Sequence, residues 1–323
     1  MTSKEHSRLP QNGSLAYFPI TFFATTMGLG GLTMALRAAF GIDSLAYMAV
    51  MALTALVFAT LAVVYAMKMI RYPSFVSQEW HHPVRLAFFP TATISLLILS
   101  SAALPIVPAL AETLWIIAML GQGILTMAVI SGWIGMRSFQ HGHISPAWFI
   151  PVVGNVIVPI AGVELGWIET SWLFFSAGLI FWLILLALVF NRLIFHDPLS
   201  GRLQPTLVIM IAPPSLVCIA WTSLNGGNDA FAHILLNIAY VFTGVVMTQL
   251  PRILKLPFAL GFWALSFPVA ALTIASLLYA EANDSVTHYR IGIVSLTVLI
   301  VIISLLCLRT IRAVLANEVC VPE

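Results

Sequence analysis

Residues 17–39, YFPITFFATTMGLGGLTMALRAA, and residues 45–69, LAYMAVMALTALVFATLAVVYAMKM, are apolar runs joined by Phe40-Gly41-Ile42-Asp43-Ser44. An α-helix of roughly 20 such residues crosses the hydrocarbon layer of a bilayer. So short a connection makes the two helices antiparallel neighbours. The pattern then repeats, with runs at 86–106, 109–136, 146–165, 168–193, 206–224, 229–250, 257–280 and 288–312. Ten spans with tight loops read as five successive helical hairpins in an all-α integral membrane protein. Several connections carry turn residues, among them Tyr72-Pro73-Ser74, the run from His196 to Gly201, and Asn225-Gly226-Gly227-Asn228-Asp229.

The basic residues test this count. Both tails and the loops after spans 2, 4, 6 and 8 hold Lys4, Arg8, Lys68, Arg71, Arg85, Arg137, Arg192, Arg202, Arg252, Lys255, Arg309 and Arg312. The opposite side holds only Arg37 and Arg290, so 12 of the 14 Lys and Arg fall on one side. Cytoplasmic loops carry such an excess, which puts both termini in the cytoplasm. One missed span would scramble the sorting of every later loop. The expected division is a cytoplasmic N-terminal tail over 1–16, one ten-helix transmembrane pore domain over 17–312, and a cytoplasmic C-terminal tail over 313–323.

Composition agrees. The 323 residues are 60% hydrophobic and 8% charged, and the mean hydropathy is +1.01, values outside the soluble globular range. The net charge of +2 is absorbed by topology, leaving no support for a nucleic-acid partner. The stretch up to Ser14 is polar and lacks an apolar core, so it reads as a tail rather than a signal peptide. Cys218, Cys307 and Cys320 are scattered without paired spacing, which argues for neither a disulfide framework nor a metal site.

Proline divides the spans into two classes. The odd spans contain Pro19, Pro90, Pro105, Pro151, Pro159, Pro213, Pro214 and Pro268. The even spans contain none, with Pro108 and Pro251 placed just outside helix ends. A proline within a helix removes a backbone hydrogen bond, and in lipid such a break is tolerated where it faces protein or water. The split therefore predicts an inner ring of five odd helices, kinked at Pro19, Pro90, Pro151, Pro213 and Pro268, inside an outer ring of five straight even helices. The inner ring would surround a central pore. Gly28, Gly30, Gly31 and Gly154 allow close backbone approach, at the pore or in ordinary helix packing.

The inner spans carry almost no ionisable groups; Glu164 lies near an external end. Proton- or cation-coupled carriers place carboxylates or histidines within the membrane, and cation pores use acidic rings. What remains is a neutral lining, with Thr25, Gly28, Ser95, Asn155 and Ser266 as its candidates. Donors and helix dipoles in such a path suit anions. Seven of the eight histidines (His81, His82, His141, His143, His196, His233 and His288) fall in loops or near helix ends without a ligand-like third partner, so no metal is expected. Nothing in the pattern suggests catalysis, an enzyme or a cofactor. Arg85, Arg137, Arg202, Arg252 and Lys255 would raise anion concentration at the cytoplasmic mouth by steering, although topology alone demands them.

Five stretches carry a resemblance. They are Phe18-Pro19 through Met27-Gly28-Leu29-Gly30-Gly31, His82-Pro83-Val84-Arg85, Phe149-Ile150-Pro151-Val152-Val153-Gly154-Asn155, Ile211-Ala212-Pro213, and Phe262-Trp263-Ala264-Leu265-Ser266-Phe267. In this order, along nearly the whole chain, they resemble the tellurite-resistance/C4-dicarboxylate transporter family, which includes bacterial TehA proteins and plant slow anion channels. The resemblance implies five hairpins around a pore, a homotrimer with one pore per protomer, and a plugging phenylalanine on the ninth helix, here Phe267. The chain departs from the bacterial pattern in placing Pro268 after that phenylalanine, where glycine is usual.

The expected function is therefore an anion channel gated by Phe267, passing inorganic or small organic anions. It would lie in the lipid bilayer of the inner (plasma) membrane as a multi-pass protein. The alternative is a secondary transporter exporting C4-dicarboxylates, sulfite or tellurite-related oxyanions. A dianion carrier would be expected to hold a basic residue at mid-span, and none appears there.

Overall fold

A computed structural model of the chain describes residues 14–135, 139 and 141–320, and these are helical, without strands. Lys4, Arg8 and Arg137 lie outside the described residues. The helices are α1 (Phe23–Phe40), α2 (Leu45–Arg71), α3 (Pro73–His81), α4 (Pro90–Ala103), α5 (Pro108–Gly135) and α6 (Phe149–Gly162). They continue as α7 (Ile168–Phe195), α8 (Ala212–Asn225), α9 (Ala230–Ile253), α10 (Ser266–Ala282) and α11 (Val286–Leu315). Among the described residues, eight helical stretches are long and apolar enough to cross a membrane, and Pro146–Gly162 is a shorter apolar one. The sequence pattern suggested ten. The difference lies in α1, diluted by three threonines, three glycines and Arg37 in its 18 residues, and in the short fifth span. This is a multi-pass membrane protein.

The odd spans share a construction absent from the even ones. Each begins as a tight 3-10 segment and only then becomes α-helix: Ile20–Phe22, Arg85–Phe88, Pro146–Trp148, Gly201–Ile211 and Leu260–Leu265 lead into α1, α4, α6, α8 and α10. Proline sits at these junctions. Pro19 precedes the first lead-in, Pro90 opens α4, Pro151 is the third residue of α6, Pro213 the second of α8 and Pro268 the third of α10. In a first turn the missing N–H costs little, because those amides have no partner within the helix. The prolines thus mark where α-helix starts rather than kinking its middle. Pro159 in α6 is an interior one. The proline-free reading of the even spans also needs correction: Pro108 opens α5 and Pro251 lies within α9, two residues before its end.

Two further turns follow from local chemistry. Pro73 opens α3, a helix where the sequence suggested a plain turn, because its fixed φ suits a first helical position. Gly226 ends α8 with φ 71°, a left-handed conformation that glycine adopts without strain. Asp229 then caps α9, its carboxylate accepting from the Ala232 amide at 2.9 Å, and this bond holds its carboxyl below the usual carboxylate range.

Burial separates the two classes. Within their most apolar stretches, 11–39% of residues are buried in α2, α5, α7, α9 and α11, against 72–83% in the spans containing α4, α8 and α10. The buried helices pack on one another: α1 on α4 and α10, α4 on α6, α6 on α8, and α8 on α10. Each also packs on the exposed helix that follows it.

Small and polar side chains fill the seams, as expected where lipid gives no hydrophobic drive between helices. The Thr26 and Ser95 hydroxyls join α1 to α4 at 2.8 Å. The Trp115 indole donates to the Val158 carbonyl at 2.9 Å, and the Gln122 amide to the Pro151 carbonyl at 2.9 Å. Gly28 is the tightest point between α1 and α10, because a Cβ there would lie 2.2 Å from Ser266 Oγ. Gly28→Ala should therefore force the pair apart and cost about 1–3 kcal/mol, the usual range for overpacking. Thermal unfolding in detergent would read the loss, and Ser266→Ala in the same chain should recover part of it.

Candidate functional site

Two cavities lie among the five buried helices, the larger of them opening past Val286 and Tyr289 of α11. The larger, about 980 Å³, is lined by Gly31 and Met34 of α1, Ile98 of α4, Ile157 of α6, Ile219 of α8 and Ile274 of α10, among others. Toward the loops its wall carries Arg37, Glu164, Glu281 and Asp284. The Arg37 guanidinium donates through Nη1 to the Ser101 carbonyl at 2.9 Å, which ties one cation into a wall that also holds three carboxylates. The smaller cavity, about 20 Å³, is little more than one water in size. Its lining comes from all five spans: Ala24 and Met27, Phe88 and Ile94, Ile150 and Val153, Ile209 and Ala212, Ala264 and Pro268. Every one of these side chains is apolar.

Phe267 is the residue common to both linings. It is the second residue of α10 and is 5% exposed. Its ring lies against the backbone of α1, since a Cβ at Gly31 would come within 3.1 Å of Phe267 Cδ2. The ring therefore stands between the wide cavity and the narrow one.

Local chain geometry explains where the narrow part falls. Its lining residues cluster at the junctions from 3-10 to α, so the α-helical N-termini of all five inner spans lie within about a turn of it. Such termini carry partial positive charge.

The residues expected to line a path are placed differently. Thr25 Oγ1 donates to the Phe22 carbonyl at 2.7 Å. Ser95 Oγ donates to the Thr91 carbonyl at 2.7 Å, and Ser266 Oγ to the Trp263 carbonyl at 2.7 Å. Asn155 Nδ2 reaches the Pro151 and Val152 carbonyls at 3.1 and 3.0 Å, and Thr126 Oγ1 at 3.0 Å. Gly28 faces Ser266. None of the five lines either cavity. A hydroxyl on a buried helix bonds back to the carbonyl three or four residues earlier, and one turned into a seam also serves the neighbouring helix. Arg85, Arg202, Arg252 and Lys255 line neither cavity either.

The larger cavity is lined instead by Met34, Ile98, Ile157, Ile219 and Ile274 among others, aliphatic residues that look in sequence like any others on these helices. Of the charged lining residues, Arg37 and Glu164 stand out in the sequence, as charges near the ends of apolar runs. Among the described residues, no group of three or more His, Cys, Asp and Glu is placed to hold a metal.

The sequence profile described as SLAC1, voltage-dependent anion channel, matches residues 17–311. The chain belongs to this family. It is 26% identical to the S-type anion channel SLAH3 of Arabidopsis thaliana over 262 residues, covering 80% of this chain and 41% of the plant protein. It is 25% identical to SLAH2 of the same plant over 310 residues, covering 91% and 59% respectively. The tellurite resistance protein TehA homolog of Haemophilus influenzae is 27% identical over 222 residues, covering 68% of this chain and 67% of that one. The matches thus span about half the length of the two plant relatives.

The two sets of positions separate by labelling. In a cysteine-free background, single cysteines at Met34, Ile98, Ile157 and Ile219 should react with a small water-soluble maleimide. Cysteines at Thr25, Ser95, Asn155 and Ser266 should react slowly or not at all. Equal labelling of both sets would mean that the lining is assigned to the wrong helix faces.

Proposed function

We propose that this family member is a channel for small inorganic or organic anions, such as chloride or nitrate. Its path would run between α1, α4, α6, α8 and α10, with Phe267 as the gate. The observation that carries this reading is the position of Phe267 between the two cavities. The order of packing among the five inner helices supports a closed ring around the path, because each touches two others. The five outer helices would complete the hairpins and face lipid or neighbouring protomers. An apolar constriction of this size opposes ion entry by steric fit and by dewetting. Anion preference is supported by the absence of carboxylates among the narrow cavity's lining residues and by the helix N-termini around it.

The secondary-transporter reading has weaker support. A dianion would need basic partners along the path, and Arg37 stands only at the wide mouth. In the proposed setting, the protein is a homotrimer in the inner membrane with a pore domain over 17–312. Tails 1–16 and 313–323 would lie in the cytoplasm, consistent with the Lys and Arg distribution.

Phe267→Ala tests the gate. In liposomes, anion flux should rise about tenfold or more, the change that ~1.4 kcal/mol off the barrier produces. Reversal potentials in a salt gradient should follow the anion. Stability should change little, whereas removing a phenylalanine from a packed core costs about 3–5 kcal/mol. An unchanged flux with a large loss of thermal stability would make Phe267 core, and a reversal potential tracking sodium or potassium would refute anion selectivity.

A further inference from the structure

A buried polar cluster lies at the opposite end of α1 from Arg37 and lines neither cavity. Lys68, in the last turn of α2, is 1% exposed, and Glu79, in α3, is 3% exposed. Lys68 Nζ meets Glu79 Oε2 at 2.7 Å and donates to the Phe18 carbonyl at 2.8 Å. Tyr65 donates its hydroxyl to the same carboxylate oxygen at 2.9 Å. The Ile20 amide donates to the other oxygen, Oε1, at 3.2 Å. The chain is therefore gripped on both sides of Pro19, by its carbonyl before and its amide after.

This contact does a specific job. Ile20 opens the 3-10 turn that leads into α1, and its residue before, Pro19, makes no side-chain cap. An amide at a helix start has no partner within the helix. Glu79 supplies that partner from another element, so the cap of the first inner span belongs to α3. Glu79 is also the one buried residue of α3. A buried ion pair returns little net stability, because desolvating two charges offsets most of their attraction. Its effect here is on position: it sets where α1 begins, and hence its register against α10.

That register bears on Phe267. From Ile20 to Gly31 is about 16 Å of helix at 1.5 Å per residue, with no interruption between the lead-in turn and α1. Along this length α1 meets α10 twice, at Gly28 with Ser266 and at Gly31 with Ala270 and the Phe267 ring. We infer that Lys68 and Glu79 are positioning residues that latch the start of α1 and thereby hold Phe267 in its closed placement. The latch rests on the reading of Phe267 as the gate. Releasing it would let α1 shift and free the ring.

The test compares the latch in two backgrounds, using chloride flux from liposomes holding the full chain. Glu79→Gln keeps the shape and can still accept from Ile20, but loses the charge. Tyr65→Phe removes one bond and leaves the ion pair, serving as a milder variant should Glu79→Gln fail to fold. With Phe267 present, Glu79→Gln should raise flux by about fivefold or more, the lower end of coupling between two sites, and Tyr65→Phe by less. With Phe267→Ala, neither should add anything, because the ring they act through is gone. A merely structural role would change flux equally in both backgrounds, and that result, or no change in either, overturns the latch. Phe267→Ala that leaves flux at the parent level overturns the gate reading instead, and is visible before any latch variant is made.

Discussion

Water does not reach the backbone of a helix in the hydrocarbon layer, so every amide and carbonyl there needs a partner within the protein. The arrangement of this chain follows from how its inner spans meet that demand. Each changes from 3-10 to α near the proline that cannot donate, and four of the five prolines occupy positions in an α-helix's first turn where no intrahelical bond is lost. The first span, whose proline lies ahead of its lead-in turn, borrows a carboxylate from α3. Because the changes fall at one level, five helix starts gather around one narrow cavity. The constriction is thus a consequence of where α-helix becomes affordable.

The same demand sorts the polar side chains. Thr25, Ser95, Asn155 and Ser266 bond to carbonyls of their own helices, and Thr26 and Ser95 tie two helices together. These hydroxyls line neither cavity. The narrow cavity is left to apolar side chains, whereas the wide one adds the hydroxyls of Ser101, Thr222 and Ser223 and carries charge at Arg37, Glu164, Glu281 and Asp284. A narrow apolar cavity ringed by helix N-termini is in keeping with a family of anion channels.

Small residues connect the constriction to its surroundings. Gly28 and Gly31 bring α1 against α10 closely enough for the Phe267 ring to rest on the α1 backbone. A shift of α1 is therefore felt at the ring directly. Lys68 and Glu79 stand at the start of the same helix, which links the buried ion pair to the centre of the fold through one continuous element.

Much of this was legible in the residues alone. Apolar run length identified helices that cross a membrane, because hydrocarbon thickness sets the number of residues required. The ordered stretches from Phe18-Pro19 to Ser266-Phe267 pointed to the family, whose profile matches 17–311. Proline placement singled out the odd spans, which are the buried ones where their burial is resolved. It misjudged the consequence, since a proline looks the same in sequence whether it kinks a helix or opens one. Lys68 was read as a topological charge and Glu79 went unremarked, because α2 and α3 meet only once the turn at Tyr72-Pro73 is folded. The lining was hidden for a related reason. A buried helix scatters small polar and aliphatic residues over every face, so only packing decides whether Ile98 or Ser95 meets the cavity, and it turned the hydroxyl to the seam where a partner waits.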